Sequence, residues 1–222
     1  MKKGFSLPIW VVAAAKAALK KLNGLPFDNY ELIILPDKKY IKKIKVHSVA
    51  LINNNQFALA ITFVDSGLDL DLTQNLEIWT LLSLKKTYKE NDLSSKKINL
   101  IAGYGVGINS LTSEISISNF AREILDLNLL DQIPSQCQLN LEIIFPNGKF
   151  LAERTSNKSF GIVDGLSIIG TTAETHLSAS PDQITNAKEE LSRAVENNYA
   201  NTITFVIGEN GLDLAKKIDI RT

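Results

Sequence analysis

Apolar and polar residues alternate, segment after segment, through the first 178 residues, the pattern of half-buried strands. Residues 30–35 and 40–46 read as two strands around a Pro36-Asp37 turn, with Lys42, Lys43 and Lys45 interleaved among Ile41, Ile44 and Val46. Those lysines mark a solvated face. Asn53-Asn54-Asn55 is a turn, and residues 56–64, 76–86, 96–103 and 138–145 are four further strands. Residues 160–170 read as a buried strand that halts abruptly at Gly170-Thr171-Thr172.

Helical spacing is rarer and better punctuated. Residues 8–22 form an Ala-rich helix opened by Pro8 and closed by Asn23-Gly24. Residues 118–130 follow Ser118 as N-cap. Ser180-Pro181-Asp182-Gln183 is a capping box ahead of the stripe Ile184, Ala187, Leu191 and Ala194. A buried strand at 202–207, a loop at 208–211 and a helix opening at Leu212 complete the chain. The expected fold is α+β: a two-layer α/β sandwich over 1–178, its sheet mostly antiparallel or mixed, then the beginning of an α/β unit over 179–222.

Composition narrows the function. The 222 residues are 45% hydrophobic and 22% charged, with 24 basic against 24 acidic side chains. A balanced charge gives no electrostatic case for nucleic acid as partner. Cys137 stands alone, so neither a disulfide framework nor a thiolate cluster is available, and its place at a strand start suits a small buried hydrophobe. The N-terminus imitates a signal peptide, but Pro8 and Lys16 interrupt it and the apolar run is too short for a bilayer. A cytoplasmic helix and no membrane partner are expected.

Three strand ends carry glycine: 103–107, 170–172 and 208–211. Glycine admits positive φ and close approach of a ligand to the backbone, so such corners can form anion-binding nests. Gly103, Gly105 and Gly107 lack dinucleotide-binding spacing, and no Gly-Lys-Ser/Thr follows. Asp65, Asp69 and Asp71 lack the glycine and terminal glutamate of a calcium loop. His47 and His176 have no ligand partner at helical spacing; His47 reads as structural, while His176 follows the Gly-Thr-Thr corner. No catalytic acid, base or nucleophile emerges, and no protein-held metal. The residues alone predict a small-molecule site for an anionic ligand at glycine-rich strand ends.

The block LAERTSNKSFGIVDGLSIIGTTAETHLS, 151–178, resembles the cobalt-precorrin-5B (C1)-methyltransferase family of the anaerobic cobalamin pathway. Leu151, Ala152, Thr155, Asn157, Gly161, Ile162, Val163, Gly165, Ser167, Ile168, Gly170, Thr171 and Thr172 match its pattern without a gap. Residues 64–73 are similar to a second family segment and keep Asp65, Gly67, Asp69, Asp71 and Thr73, with Val64, Leu68 and Leu70 departing. Gly4 and residues 13–17 match a third, while residues 7–10 stand where the family has Thr-Gly-Thr/Ser-Cys. The 103–107 segment resembles Gly-Glu-Gly-Val-Gly with Tyr104 in place of the acid, and Gly208, Gly211 and Asp213 resemble a Gly-Asn-Tyr-Gly-x-Asp corner. The family's proline-rich Val-Gly-Glu-Pro-Ala-Ile-Asn-Pro segment is not seen.

The resemblance implies a Rossmann-like second domain, present here only in its beginning. It implies methylation of C-1 of cobalt-precorrin-5B to cobalt-precorrin-6A with S-adenosylmethionine, cobalt arriving inside the tetrapyrrole substrate. Gly170, Thr171 and Thr172, with Ser167, are then expected to hold a carboxylate of the substrate or of the cofactor. Thr155, Asn157, Thr73, Gly103, Gly105, Gly107, Gly208 and Gly211 are further binding positions. Asp65 or Asp69 would receive ribose hydroxyls or adenine N–H groups. Two other readings stand beside it: a non-catalytic corrinoid-binding remnant, and a transferase for a phosphorylated small molecule. The oligomeric state is open, a homodimer included.

Overall fold

The computed structural model describes residues 4–36, 40–67, 71–86, 97–175, 181–196, 204–206 and 208–218. The chain divides into two compact units, 1–175 and 176–222. The first begins with α1 (Leu7–Leu22), opened by Pro8 and with its C-cap at Asn23. A hairpin, β1 (Tyr30–Ile34) and β2 (Ile41–Lys45), pairs antiparallel as its own small sheet.

The main sheet contains β3 (Ser48–Ile52), β4 (Phe57–Phe63), β5 (Glu77–Lys86), β6 (Ile98–Ala102) and β9 (Cys137–Ile144), in the order β3-β4-β5-β9-β6. All its pairings are antiparallel except β6 with β9. Parallel neighbours need a crossover. It runs through two-residue strands β7 (Gly105–Val106) and β8 (Ile108–Asn109), then α2 (Asn119–Leu129) and a 3₁₀ turn. Ser118 caps α2 as its spacing predicts, accepting the Ala121 N–H at 3.2 Å. The mixed sheet and helical layer agree with the expected α+β class.

Alternation sets the inner face. Ala58, Ala60 and Thr62 on β4, Ile78, Thr80 and Leu82 on β5, and Leu139, Leu141 and Ile143 on β9 are all fully buried. Register stacks Ala60, Thr80 and Ile143 in one row and Ala58, Leu82 and Leu141 in the next. On this face lies α1, buried nearly all round because α2 and the β1–β2 hairpin flank it. Its alanines, 13–15 and 17–18, let it sit close to the small residues of β4.

Lys16 is the one charged residue inside α1's buried stretch, and its ammonium donates to Leu32 O at 2.5 Å and lies 3.4 Å from Asn128 Oδ1. Burial pushes Lys16 below its ordinary value of 10.5, Glu31 opposes the shift and Lys20 adds to it. Glu31, only 3% exposed, is held by Lys20 at 2.9 Å.

Several expectations are corrected. Residues 160–170 are not one strand: a 3₁₀ turn (Asn157–Phe160) is followed by β10 (Ile162–Val163) and β11 (Gly165–Leu166), split where Asp164 takes φ +68°. β10 pairs with β8 antiparallel and β11 with β7 parallel, so the segment is a lacing strip rather than a sheet member. Strand β3 and the short helix α3 (Gly148–Ala152) were not legible in the pattern.

The second unit contains α4 (Pro181–Glu196) and α5 (Gly208–Lys217). Of the strand expected at 202–207, residues 204–206 carry no strand and the others lie outside the described residues. Gly208 and Gly211 are inside α5, which begins four residues earlier than the expected loop allows. The Ser180 cap lies outside the described residues.

Candidate functional site

Three chain segments meet where α1 begins. Phe5 bridges Glu174 in antiparallel fashion, the Ser6 N–H donates to Ala173 O at 2.9 Å, and the Ser6 hydroxyl donates to Thr172 O at 2.7 Å. The Phe5 N–H donates to Asp65 O at 3.0 Å, and the Thr175 hydroxyl to Ser66 O at 2.5 Å. Gly4 lies so close to the Ser66–Gly67 backbone that any Cβ would overlap it. Residues 4–6, 65–67 and 172–175 are thereby tied into one knot.

Beside the knot, the 71–73 turn is fixed by Asp71, whose Oδ1 accepts both the N–H and the hydroxyl of Thr73 at 2.7 Å. This is an Asx turn closed by short, charge-assisted bonds. Across from it the matched block folds on itself. The Thr155 hydroxyl donates to Ala152 O at 2.8 Å and accepts the Asn157 N–H at 3.3 Å. The Asn157 amide donates to Gly165 O at 3.0 Å. Ser167, 5% exposed, accepts from the Ser116 hydroxyl at 2.9 Å.

These turns enclose a cavity of about 640 Å³. Its polar wall is Ser6, Asp71, Thr73, Thr155, Ser156, Asn157, Ser167 and Thr175. Its apolar wall is Leu7, Leu72, Phe160, Ile162, Leu166 and Ile169. Phe160 and Ile169 are 64% and 61% exposed, large apolar groups held open to solvent at the rim. Thr73, Thr155, Asn157 and Ser167, expected from the sequence, come together here. Ser6, Asp71, Phe160 and Thr175 were not singled out as site residues. For Asp71 the signal was in the sequence: an aspartate two residues before a threonine is an Asx-turn signature.

The other expected positions fall elsewhere. Gly170 is half-buried and Thr171 and Thr172 are exposed, next to Ile169 but outside the cavity's lining. The Thr172 hydroxyl donates to Glu174 O at 2.9 Å, a local turn bond. Gly170 O accepts from the Ser118 hydroxyl at 3.0 Å. Among the described residues, the N–H groups of Gly170, Thr171 and Thr172 meet no acceptor. Asp65 accepts the Gly67 N–H at 3.2 Å and lines a second cavity of about 410 Å³ with Trp10, Lys45, His47, Phe63, Val64, Gln74 and Asn75. His47 stands edge-on to Phe63, 5.0 Å between centroids. Asp69 and His176 lie outside the described residues.

Gly103, Gly105 and Gly107 form no nest. The Gly103 N–H donates to Ile143 O and the Gly107 N–H to Leu166 O, both at 2.8 Å. Gly105 and Gly107 serve contact between backbones: a Cβ on Gly105, where φ is +78°, would overlap Phe145 O, and one on Gly107 would sit 2.9 Å from Gly165 O. Gly208 and Gly211, inside α5, present no loop to a ligand. No group of three or more His, Cys, Asp or Glu placed to hold a metal occurs among the described residues. No helix among them is long and apolar enough to cross a membrane.

Fold and site together define an α+β protein with a hydroxyl-lined cavity where its central helix begins. The CbiD family model matches residues 1–176, and the chain belongs to that family. It is 65% identical over 221 residues to the cobalt-precorrin-5B C(1)-methyltransferase of Prochlorococcus marinus subsp. pastoris (strain CCMP1986 / NIES-2087 / MED4), covering 100% of this chain and 59% of that protein. The same-named protein of Prochlorococcus marinus strain MIT 9313 is 44% identical over 97% of this chain and 57% of its own length. The chain thus spans about three fifths of these relatives. The 1.9 Å crystal structure of the cobalamin biosynthesis protein cbiD from Archaeoglobus fulgidus matches with a TM-score of 0.57 at 18% identity, over 99% of this chain and 68% of that one. At that identity the likeness concerns the fold.

Proposed function

We propose that the protein takes part in methylating C-1 of cobalt-precorrin-5B with S-adenosylmethionine, giving cobalt-precorrin-6A. Kinship supports this: the relatives at 65% and 44% identity carry that activity in their names. Within the structure, one observation carries it. Thr155, Asn157 and Ser167 of the family block, and Thr73 of the second segment, line a single cavity with the start of α1.

The cavity suits the cofactor. Its volume of about 640 Å³ is that of a small-molecule pocket. Serine and threonine hydroxyls and the Asn157 amide match ribose hydroxyls and adenine nitrogens, and the apolar wall matches a flat base. When bound, S-adenosylmethionine supplies an electrophilic methyl group on a sulfonium sulfur. The nucleophile is an electron-rich ring carbon of the substrate, so no protein nucleophile is needed. What this chain contributes is positioning and exclusion of water. Alignment of that kind is worth about 7–11 kcal/mol where the geometry is good.

On hydrogen bonding alone, either the donor or an acid arm of the tetrapyrrole fits the cavity. The free N–H groups of Gly170, Thr171 and Thr172 and the Thr171 hydroxyl offer a second place for a carboxylate. Cobalt travels within the substrate, and a cytoplasmic location accords with this reading. The test is transfer of a labelled methyl group from S-adenosylmethionine to cobalt-precorrin-5B, followed by nuclear magnetic resonance of the product. Label at C-1 is expected. Label at another carbon, or none, contradicts the proposal.

A further inference from the structure

We infer that the cavity beside α1 is the pocket of the methyl donor, selecting a positively charged sulfonium nucleoside, and that the acid arms of the tetrapyrrole bind outside it. This rests on the function proposed above and decides what that function left open. The decisive feature is charge. Among the described residues lining the cavity there is one ionisable side chain, Asp71, and no lysine, arginine or histidine. A polycarboxylate placed there would lose its hydration, meet no cation and face a like charge.

A sulfonium amino acid suits the same walls. The Asp71 carboxylate is pinned through Oδ1 by Thr73, which fixes one negative charge on the wall. Phe160, exposed at the rim, is available to stack on the adenine base that both compounds share. The nearest contrast is the 410 Å³ cavity, whose lining does include a lysine, Lys45, together with Asp65.

The experiment is calorimetric titration of the wild-type protein, Asp71→Asn and Phe160→Ala, each with S-adenosylmethionine and with its neutral thioether product, S-adenosylhomocysteine. Asparagine keeps the oxygen that Thr73 bonds and removes the charge. Asp71→Asn is expected to weaken the sulfonium compound about fivefold, the scale of one partly exposed charge pair, and to leave the thioether unchanged. Phe160→Ala is expected to weaken both alike. Tight binding by the wild type, with folded Asp71→Asn weakening neither compound or both equally, overturns the sulfonium pocket while leaving the methyltransferase proposal in place. Should Asp71→Asn not fold, Phe160→Ala decides: unchanged affinity for both compounds overturns the assignment. A wild type that binds neither compound, with cobalt-precorrin-5B present, overturns the methyltransferase proposal itself.

Discussion

Gly105 shows how a glycine that looks like a ligand nest can be a packing device. Its φ of +78° and the Phe145 carbonyl against it exclude any side chain. Gly105→Ala is expected to cost about 3 kcal/mol or more, read as a lower urea midpoint at unchanged slope; an unchanged midpoint contradicts this. Lys16 makes a prediction of the opposite kind, in pH. Its folded pKa lies below 10.5, so between those two values the unfolded chain binds the extra proton. Stability relative to Lys16→Met should therefore rise with pH across that window. A relative stability that falls as pH approaches 10.5 would show that partners, not burial, dominate at this position. Whether a glycine's amide is free was not legible in the sequence, because the acceptors, Ile143 O and Leu166 O, are brought in by tertiary contacts.

At the scale of elements, Ser118 joins the cap of α2 to the Gly170 corner, accepting from Ala121 and donating to Gly170 O. Ser118→Ala should destabilise the first unit by about 1–2 kcal/mol, measured by thermal or urea unfolding. No loss would mean that the cap is replaced by solvent. The capped helices and the strands of clean alternation, β4, β5 and β9, could be read from the chain because local propensity and burial agree there. The 157–170 strip could not. Its apolar run is strand-like, yet Gly161 at φ +69° and Asp164 at φ +68° break it into short pieces that lace β7 and β8. Ser48–Ile52 escaped notice because apolar residues fall on both sides of it, half-buried Val49 and Leu51 alternating with exposed Ala50 and Ile52, which blurs the period. For the site, hydroxyl-bearing positions were legible and their assembly was not: Thr73 and Thr155 are far apart in sequence and meet only through the fold.

For the molecule as a whole, family segments scattered over the first unit converge on one cavity at the start of α1, which we propose is where the methyl donor binds. Hydrogen exchange of backbone amides, followed with and without S-adenosylmethionine, tests this across the entire chain at once. Slower exchange is predicted at residues 71–75 and 155–169, with little change at 41–52. Protection absent from both of those segments and confined to another part of the chain would contradict binding at this cavity.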